Sequence, residues 1–337
     1  MARLVLHIGT HHTDATALQD RFSAQAGFLA RQGLICPPPG RAAGPHGSGH
    51  DGLAAVWNPA MKPHEPPEGA AAALRRIVQD HGNSDATVFL SGAEFSRAGQ
   101  TGRPGGRVDF RELRALLAGF QTVGVVCVLR DQWQLVQAAY LDMSRRHAVR
   151  PPEQLLDNLL RHHMTLGLWT DYDRLYRHLL TAFAPSEITL LDHQLCSAHP
   201  GGLAGAMLEH LGLGAEMPGP ETAPGREAEI PPLARLAADQ VATPHAVPRW
   251  MAEATRGAFA AQYGQDRDST IWTRAQLASL RSYGDAANAR LAASRPGFVL
   301  TPAIPAADTV HPEDLGGDFW RRTNRWLFAG SQGRSWS

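Results

Sequence analysis

Lysine is almost missing from this sequence: Lys62 is the only one, and the other basic residues are arginine. Wherever a site calls for a lysine, no second lysine in the chain can supply it. An excess of one charge is missing too. Lys plus Arg and Asp plus Glu both number 32, so the formal net charge is zero and no global field recruits nucleic acid or an anionic membrane. Cysteine is scarce, with Cys36, Cys127 and Cys196 odd in number and far apart. That excludes a disulfide framework and a paired-cysteine metal motif, and it fits a reducing compartment. No run approaches the ~20 apolar residues of a membrane span, and the apolar run after Met1 is too short for a signal peptide. The expectation is a cytoplasmic protein acting on a small molecule, with no nucleic-acid or membrane partner. Assembly into a homo-oligomer stays open.

The chain's 337 residues suit one α/β domain spanning 1–337. Four apolar runs read as buried strands: Leu4–Ile8, Thr87–Ser91, Thr122–Arg130 and Glu187–Asp192. Helical spacing predicts helices over Ala15–Gln32, Ala71–His81, Phe110–Leu117, Gln132–Arg146 and, with a break, Leu155–Phe183. Residues 35–69, rich in Pro, Gly and His from Cys36 to Glu68, read as a lid-like loop, and Ser96–Arg107 as a glycine-rich loop. Residues 214–337 read as a mainly helical elaboration. Strands alternating with helices mean a central parallel sheet with helices on both faces, a three-layer α/β fold.

His7 to Gln19 reads as a strand entering a glycine loop and then a helix, the layout that cradles a phosphate on backbone N–H groups. The stretch resembles the 5′-phosphosulfate loop of the bacterial sulfotransferase family, worded close to His-Ile-Gly-x-x-Lys-Thr-Gly-Thr-Thr-x-Leu-Gln. Leu90-Ser91-Gly92-Ala93-Glu94-Phe95-Ser96 resembles that family's second-strand signature, and Val128-Leu129-Arg130-Asp131-Gln132 with Tyr140 its 3′-phosphate segment. Leu168-Trp169-Thr170-Asp171-Tyr172, Glu187–Asp192 and Met207–Leu213 match its later units, so the resemblance spans residues 3–213.

The resemblance implies a P-loop-like strand-loop-helix and 3′-phosphoadenosine 5′-phosphosulfate (PAPS) as donor. Gly9, Thr10, Thr13, Thr16 and Arg130 would hold that donor, with His12, Glu94 and His50 as catalytic candidates. The chain departs from the pattern at four positions: His12 replaces lysine, Asp14 glycine, Ala15 threonine and Ala138 serine. Losing a charge-assisted bond costs roughly 1.5–3 kcal/mol. A carboxylate about 4 Å from a phosphate is repelled by about 4 kcal/mol at an effective dielectric near 20. The donor loop keeps its frame and loses much of its affinity.

Histidine is the other signal. Of 16 histidines, five sit at 7, 11, 12, 46 and 50, beside Asp14 and Asp51. Neutral imidazoles with a carboxylate are common ligands of divalent metals. His7, His11, His12, Asp14 and His50 therefore form a candidate metal set, and the same groups suit acid–base work. Plainer roles compete. Asp14 can cap the following helix, Glu94 can stabilise a loop, His162 and His163 can pack on a helix, and Trp133, Tyr140 and Trp169 can fill the core. Three functions follow: a divergent family member using metal- or histidine-assisted chemistry, a PAPS-dependent sulfotransferase with an unusual donor site, or a binding protein on a retired enzyme fold.

Overall fold

The computed structural model describes residues 2–38, 49–100, 103–214, 217 and 230–331. His46 lies outside them. The chain divides into two compact units.

The first unit comprises Met1–Asp131, His162–Ala223 and Asp285–Thr301. Its centre is a five-stranded parallel sheet of β1 (Arg3–His7), β2 (Leu34–Ile35), β3 (Thr87–Ser91), β4 (Thr122–Leu129) and β5 (Ile188–Asp192), in the order β2-β3-β1-β4-β5. β1 lies between β3 and β4, with Val5 opposite both Phe89 and Gly124. Leu4, Val5 and Leu6 are all buried because helices flank the sheet, and this is why the strand reads as a continuous apolar run. Helices α1 (Ala15–Ala24) and α2 (Ala26–Arg31) present Leu18, Phe22 and Leu29 to Val5, Phe89 and Val126. The four predicted strands are thus adjacent and parallel, while the two-residue edge strand β2 was too short to stand out from the sequence.

Three local expectations need correction. Ala15–Gln32 is two helices, broken at Gln25. The predicted lid holds two 3-10 helices, Asp51–Val56 and Pro59–His64, and the glycine-rich loop holds an antiparallel pair, Ala98–Gln100 with Arg103–Arg107. The break within Leu155–Phe183 is a hairpin of Met164–Thr165 and Leu168–Trp169, turned by Leu166 and Gly167 at positive φ.

The second unit comprises Gln132–Arg161, Pro224–Gly284 and Pro302–Ser337, and its described residues are mainly helical. Trp272, fully buried, donates its indole N–H to the Trp133 carbonyl at 3.3 Å. Gln137 Oε1 accepts from Thr270 Oγ1 and the Ile271 amide, tying a loop to the helix Gln132–Ser144. No helix among the described residues is long and apolar enough to cross a membrane.

Candidate functional site

The loop after β1 continues along β4: Ile8 N–H donates to Val126 O and Thr10 N–H to Val128 O. Gly9 turns it at φ 76°, and a Cβ there would stand 3.2 Å from Ala93 Cβ, so the position tolerates only glycine without strain. Both threonine hydroxyls stabilise the turn itself, Thr10 Oγ1 donating to Val128 O (3.1 Å) and Thr13 Oγ1 to Thr10 O (2.5 Å). Thr16 is exposed in the first turn of α1. That turn carries the positive end of the helix dipole and amides with no intrahelical acceptor. Arg130 Nη1 donates to the His12 carbonyl at 2.8 Å, and Tyr172 OH in turn donates to Arg130 O.

His12 and Asp14 both have φ 59°, the left-handed region. The glycine of the resembled motif falls on one of them, and aspartate occupies that conformation at a cost of about 1 kcal/mol. Asp14 stands at the N-cap position of α1 but makes no capping bond. The plainer capping role open to Asp14 is not taken: Oδ2 instead accepts from His193 Nε2 at 3.0 Å.

Glu94 follows β3 in the short 3-10 helix Ala93–Ser96 and is almost fully buried. Its Oε1 accepts from His11 Nε2 (3.0 Å) and Arg97 Nη2 (2.8 Å), and its Oε2 from Asn58 Nδ2 (2.8 Å) and Arg97 Nε (2.9 Å). Burial alone would raise this carboxyl, but the bonds from His11 and Arg97 and the arginine's charge outweigh it and hold Glu94 well below the usual range. A carboxylate so engaged is a poor proton acceptor, so of the roles open to this catalytic candidate the contacts favour positioning: Glu94 holds His11. Beside it, Asp51 Oδ1 accepts from the Glu94 amide at 2.9 Å, and burial, reinforced by the Glu94 charge, lifts the Asp51 carboxyl to about 6. Two neighbouring carboxyls are thus driven apart in acidity.

A second network lies at the ends of β1 and β3. Gln19 Nε2 donates to Ser91 O (3.1 Å) and Ser91 Oγ (3.0 Å), and Ser91 Oγ meets His7 Nδ1 at 2.8 Å. The other ring nitrogen of His7, Nε2, is buried with no hydrogen-bond partner. Burial lowers the His7 pKa to about 4 and keeps the ring neutral. His50 Nδ1 accepts from the Ser91 amide (3.1 Å) and its Nε2 donates to Pro37 O (2.9 Å). With both ring nitrogens engaged, His50 is a latch and not the catalytic base it was expected to be.

The metal set likewise fails to assemble. Among the described residues, no group of three or more His, Cys, Asp or Glu side chains converges on an ion site. The reason is visible in the partners: His7 turns to Ser91, His11 to Glu94, His50 to Pro37 and Asp14 to His193. His12 follows His11 with the two rings 6.4 Å apart, and it is half-buried. Sequence reasoning missed Asn58, Arg97 and His193, and named Asp51 only as a neighbour of the histidines. Arg97, three residues after Glu94, was the one with a local signal; the others arrive from distant segments.

No family model matches this chain, and no curated protein matches it. One matching solved structure is a sulfotransferase from Alicyclobacillus acidocaldarius, at 11% identity and a TM-score of 0.49 over 86% of this chain and 94% of that one.

Proposed function

We propose that this chain is a sulfotransferase-like enzyme that moves a small anionic group, sulfuryl first among them, from a nucleotide donor to a small-molecule hydroxyl or amine. The observation that carries the reading is the His11–Glu94 contact, braced by Arg97 and Asn58, on a strand-loop-helix of phosphate-cradling layout. The Gly9–Thr16 loop would receive the donor's 5′-phosphosulfate with His12 as the neighbouring cation. His11, oriented by Glu94 through Nε2, would take the acceptor's proton on Nδ1, which is sealed from solvent here and would have to be uncovered as the acceptor binds. The acceptor oxygen or nitrogen bonds to sulfur as the bond from sulfur to the bridging oxygen breaks, and the leaving nucleotide bisphosphate keeps that oxygen.

The two ends of PAPS fit unequally. At the 5′ end the loop frame is intact, and the Asp14 carboxylate is paired with His193, which softens the repulsion expected from its position. At the 3′ end Arg130 Nη1 is engaged by the His12 carbonyl and position 138 is alanine. The donor's 3′-phosphate should therefore add little, so 3′,5′-adenosine bisphosphate and AMP should bind within about threefold of each other, and only weakly.

Calorimetry with both nucleotides, followed by PAPS turnover against a panel of phenols and amines, tests the proposal. Weak nucleotide binding and bisphosphate release that disappears in His11→Ala support it. Absence of both nucleotide binding and turnover removes it. The contacts that close the loop on its own atoms, Arg130 to His12 and Asp14 to His193, favour a non-catalytic binding protein as the second reading, which that outcome would select.

A further inference from the structure

The first unit holds a cavity of about 290 Å³ beside the Gln19–Ser91 network, walled by Phe22 of α1, Phe89 of β3, Pro37 and Pro38. One water occupies roughly 30 Å³ in the liquid, so the space suits a ring system, at the lower end of the range of small-molecule sites. Among the described residues, its walls carry no arginine, lysine or carboxylate. The two titratable groups among the described residues that line it are neutral. Burial lifts the Cys36 thiol to about 12, and His50 is held uncharged by burial with a single ring proton donated to Pro37 O.

The polar wall is more telling. Gln19 is only 5% exposed, and its Nε2 is committed to Ser91, a carbonyl and a hydroxyl. Because a carbonyl can only accept, that contact fixes the amide's orientation and makes Oε1 the other atom. Among the described residues, nothing donates to Gln19 Oε1. Gln19 lines the cavity, and Gly49 packs against the face of its amide, where a Cβ would stand 2.3 Å from Oε1, which leaves the in-plane lone pairs of Oε1 for a donor. A buried acceptor with two lone pairs and no donor, in an otherwise apolar uncharged pocket, is an address for one N–H or O–H.

We propose that this cavity binds a small neutral molecule with an aryl or alicyclic body and one hydroxyl or N–H, which donates to Gln19 Oε1. The assignment does not depend on the transfer reading above, because it uses none of the loop, His11 or Glu94.

Calorimetry with 2-naphthol, and with 2-methoxynaphthalene as the analogue lacking the donor, tests it on the whole chain. The native protein should bind 2-naphthol with one-to-one stoichiometry, about tenfold more tightly than the ether, the range expected for one neutral hydrogen bond. Ala26→Phe, which fills the cavity from its rim, should abolish binding while keeping or raising Tm. Gln19→Met should bind the two probes equally. Failure of the native protein to bind, equal affinity for the two probes in the native protein, or undiminished binding in Ala26→Phe overturns the proposal. Should Gln19→Met not fold, the native comparison and Ala26→Phe still decide.

Discussion

His193 Nε2 lies 3.0 Å from Asp14 Oδ2, joining the loop after the first strand of the sheet to the helix that starts where the last strand ends. The aspartate that makes this bond sits in left-handed backbone, at φ 59°. Its contact with His193 and its conformational strain therefore oppose one another, and substitutions can separate them.

Asp14→Gly relieves about 1 kcal/mol of left-handed strain and loses one bond to a carboxylate that is 44% exposed, worth roughly 0.5–1 kcal/mol after solvent screening. The two should nearly cancel, leaving stability within about 0.5 kcal/mol of native. Asp14→Ala loses the bond and keeps the strain, so it should be about 1 kcal/mol less stable than Asp14→Gly. Urea unfolding of the pair reads this directly, and equal midpoints would refute it.

Glu94 organises four donor contacts from three residues. Glu94→Gln keeps the shape but turns an NH2 group toward donors and leaves the half-buried Arg97 charge without its partner. A loss of roughly 2–4 kcal/mol is expected, in the range for a broken buried pair. Asn58→Ala removes one donor to Glu94 and the Oδ1 cap on the Ala60 amide, and should cost roughly 1–2 kcal/mol. If the positioning role is right, Asn58→Ala should lower kcat more than it changes KM, because a misdirected His11 acts in the transition state and not in binding. An unchanged kcat in a folded Asn58→Ala variant would count against that role.

What could be read from the sequence follows from how local each signal is. Val5 and Val126 sit in apolar runs that only a strand buried on both faces requires, so the sheet was legible before any coordinates. Gly9 and the following helix were legible for the same reason, since turn chemistry is written in adjacent residues. The histidines were not. His7, His11 and His50 are close in sequence, but side chains on a strand end, a turn and a 3-10 helix cap leave the backbone in different directions. Ser91, Glu94 and Pro37 captured them one by one. Clustering in sequence predicted convergence that the turn geometry does not provide.

In the second unit, Asp239 and Arg235 are buried on the helix Pro232–Ala242, 3.8 Å apart, and the arginine also donates to Ser144 Oγ. Asp239 Oδ2 and Arg235 Nη2 have no hydrogen-bond partner. Burial raises the Asp239 carboxyl to about 6 despite its bond with Tyr140 and the arginine's charge. A folded pKa above the unfolded one means that this group's contribution is fully present below about pH 4 and is lost as pH rises through 6. Asp239→Asn, which imitates the protonated form, should therefore be more stable than native by about 1–3 kcal/mol at pH 7.5, with the advantage vanishing near pH 4. Denaturant curves at the two pH values check it. A pH-independent difference would show that the carboxyl does not titrate in the folded state.

His7 titrates with the opposite sign. Its pKa falls to about 4 in the folded chain because the ring is sealed between Ser91 and Phe89, stacked on the phenyl group at 12°. A group depressed in this way contributes stability that is present above its unfolded pKa, near 6.5, and is lost as pH falls toward 4. The native protein alone will not reveal this, because Asp51 and Asp239, both raised to about 6, gain over much of the same window. A difference measurement cancels them. His7→Asn keeps a polar atom near Nδ1 for Ser91, removes the unpartnered Nε2 and cannot charge. Its deficit relative to native, set mainly by lost packing against Phe89, should be larger at pH 7.5 than at pH 4.5 by about 2–3 kcal/mol, the linkage value of a shift of this size. The same deficit at both pH values would mean that His7 reaches solvent when it protonates, and that the network at the ends of β1 and β3 opens more readily than its hydrogen bonds suggest.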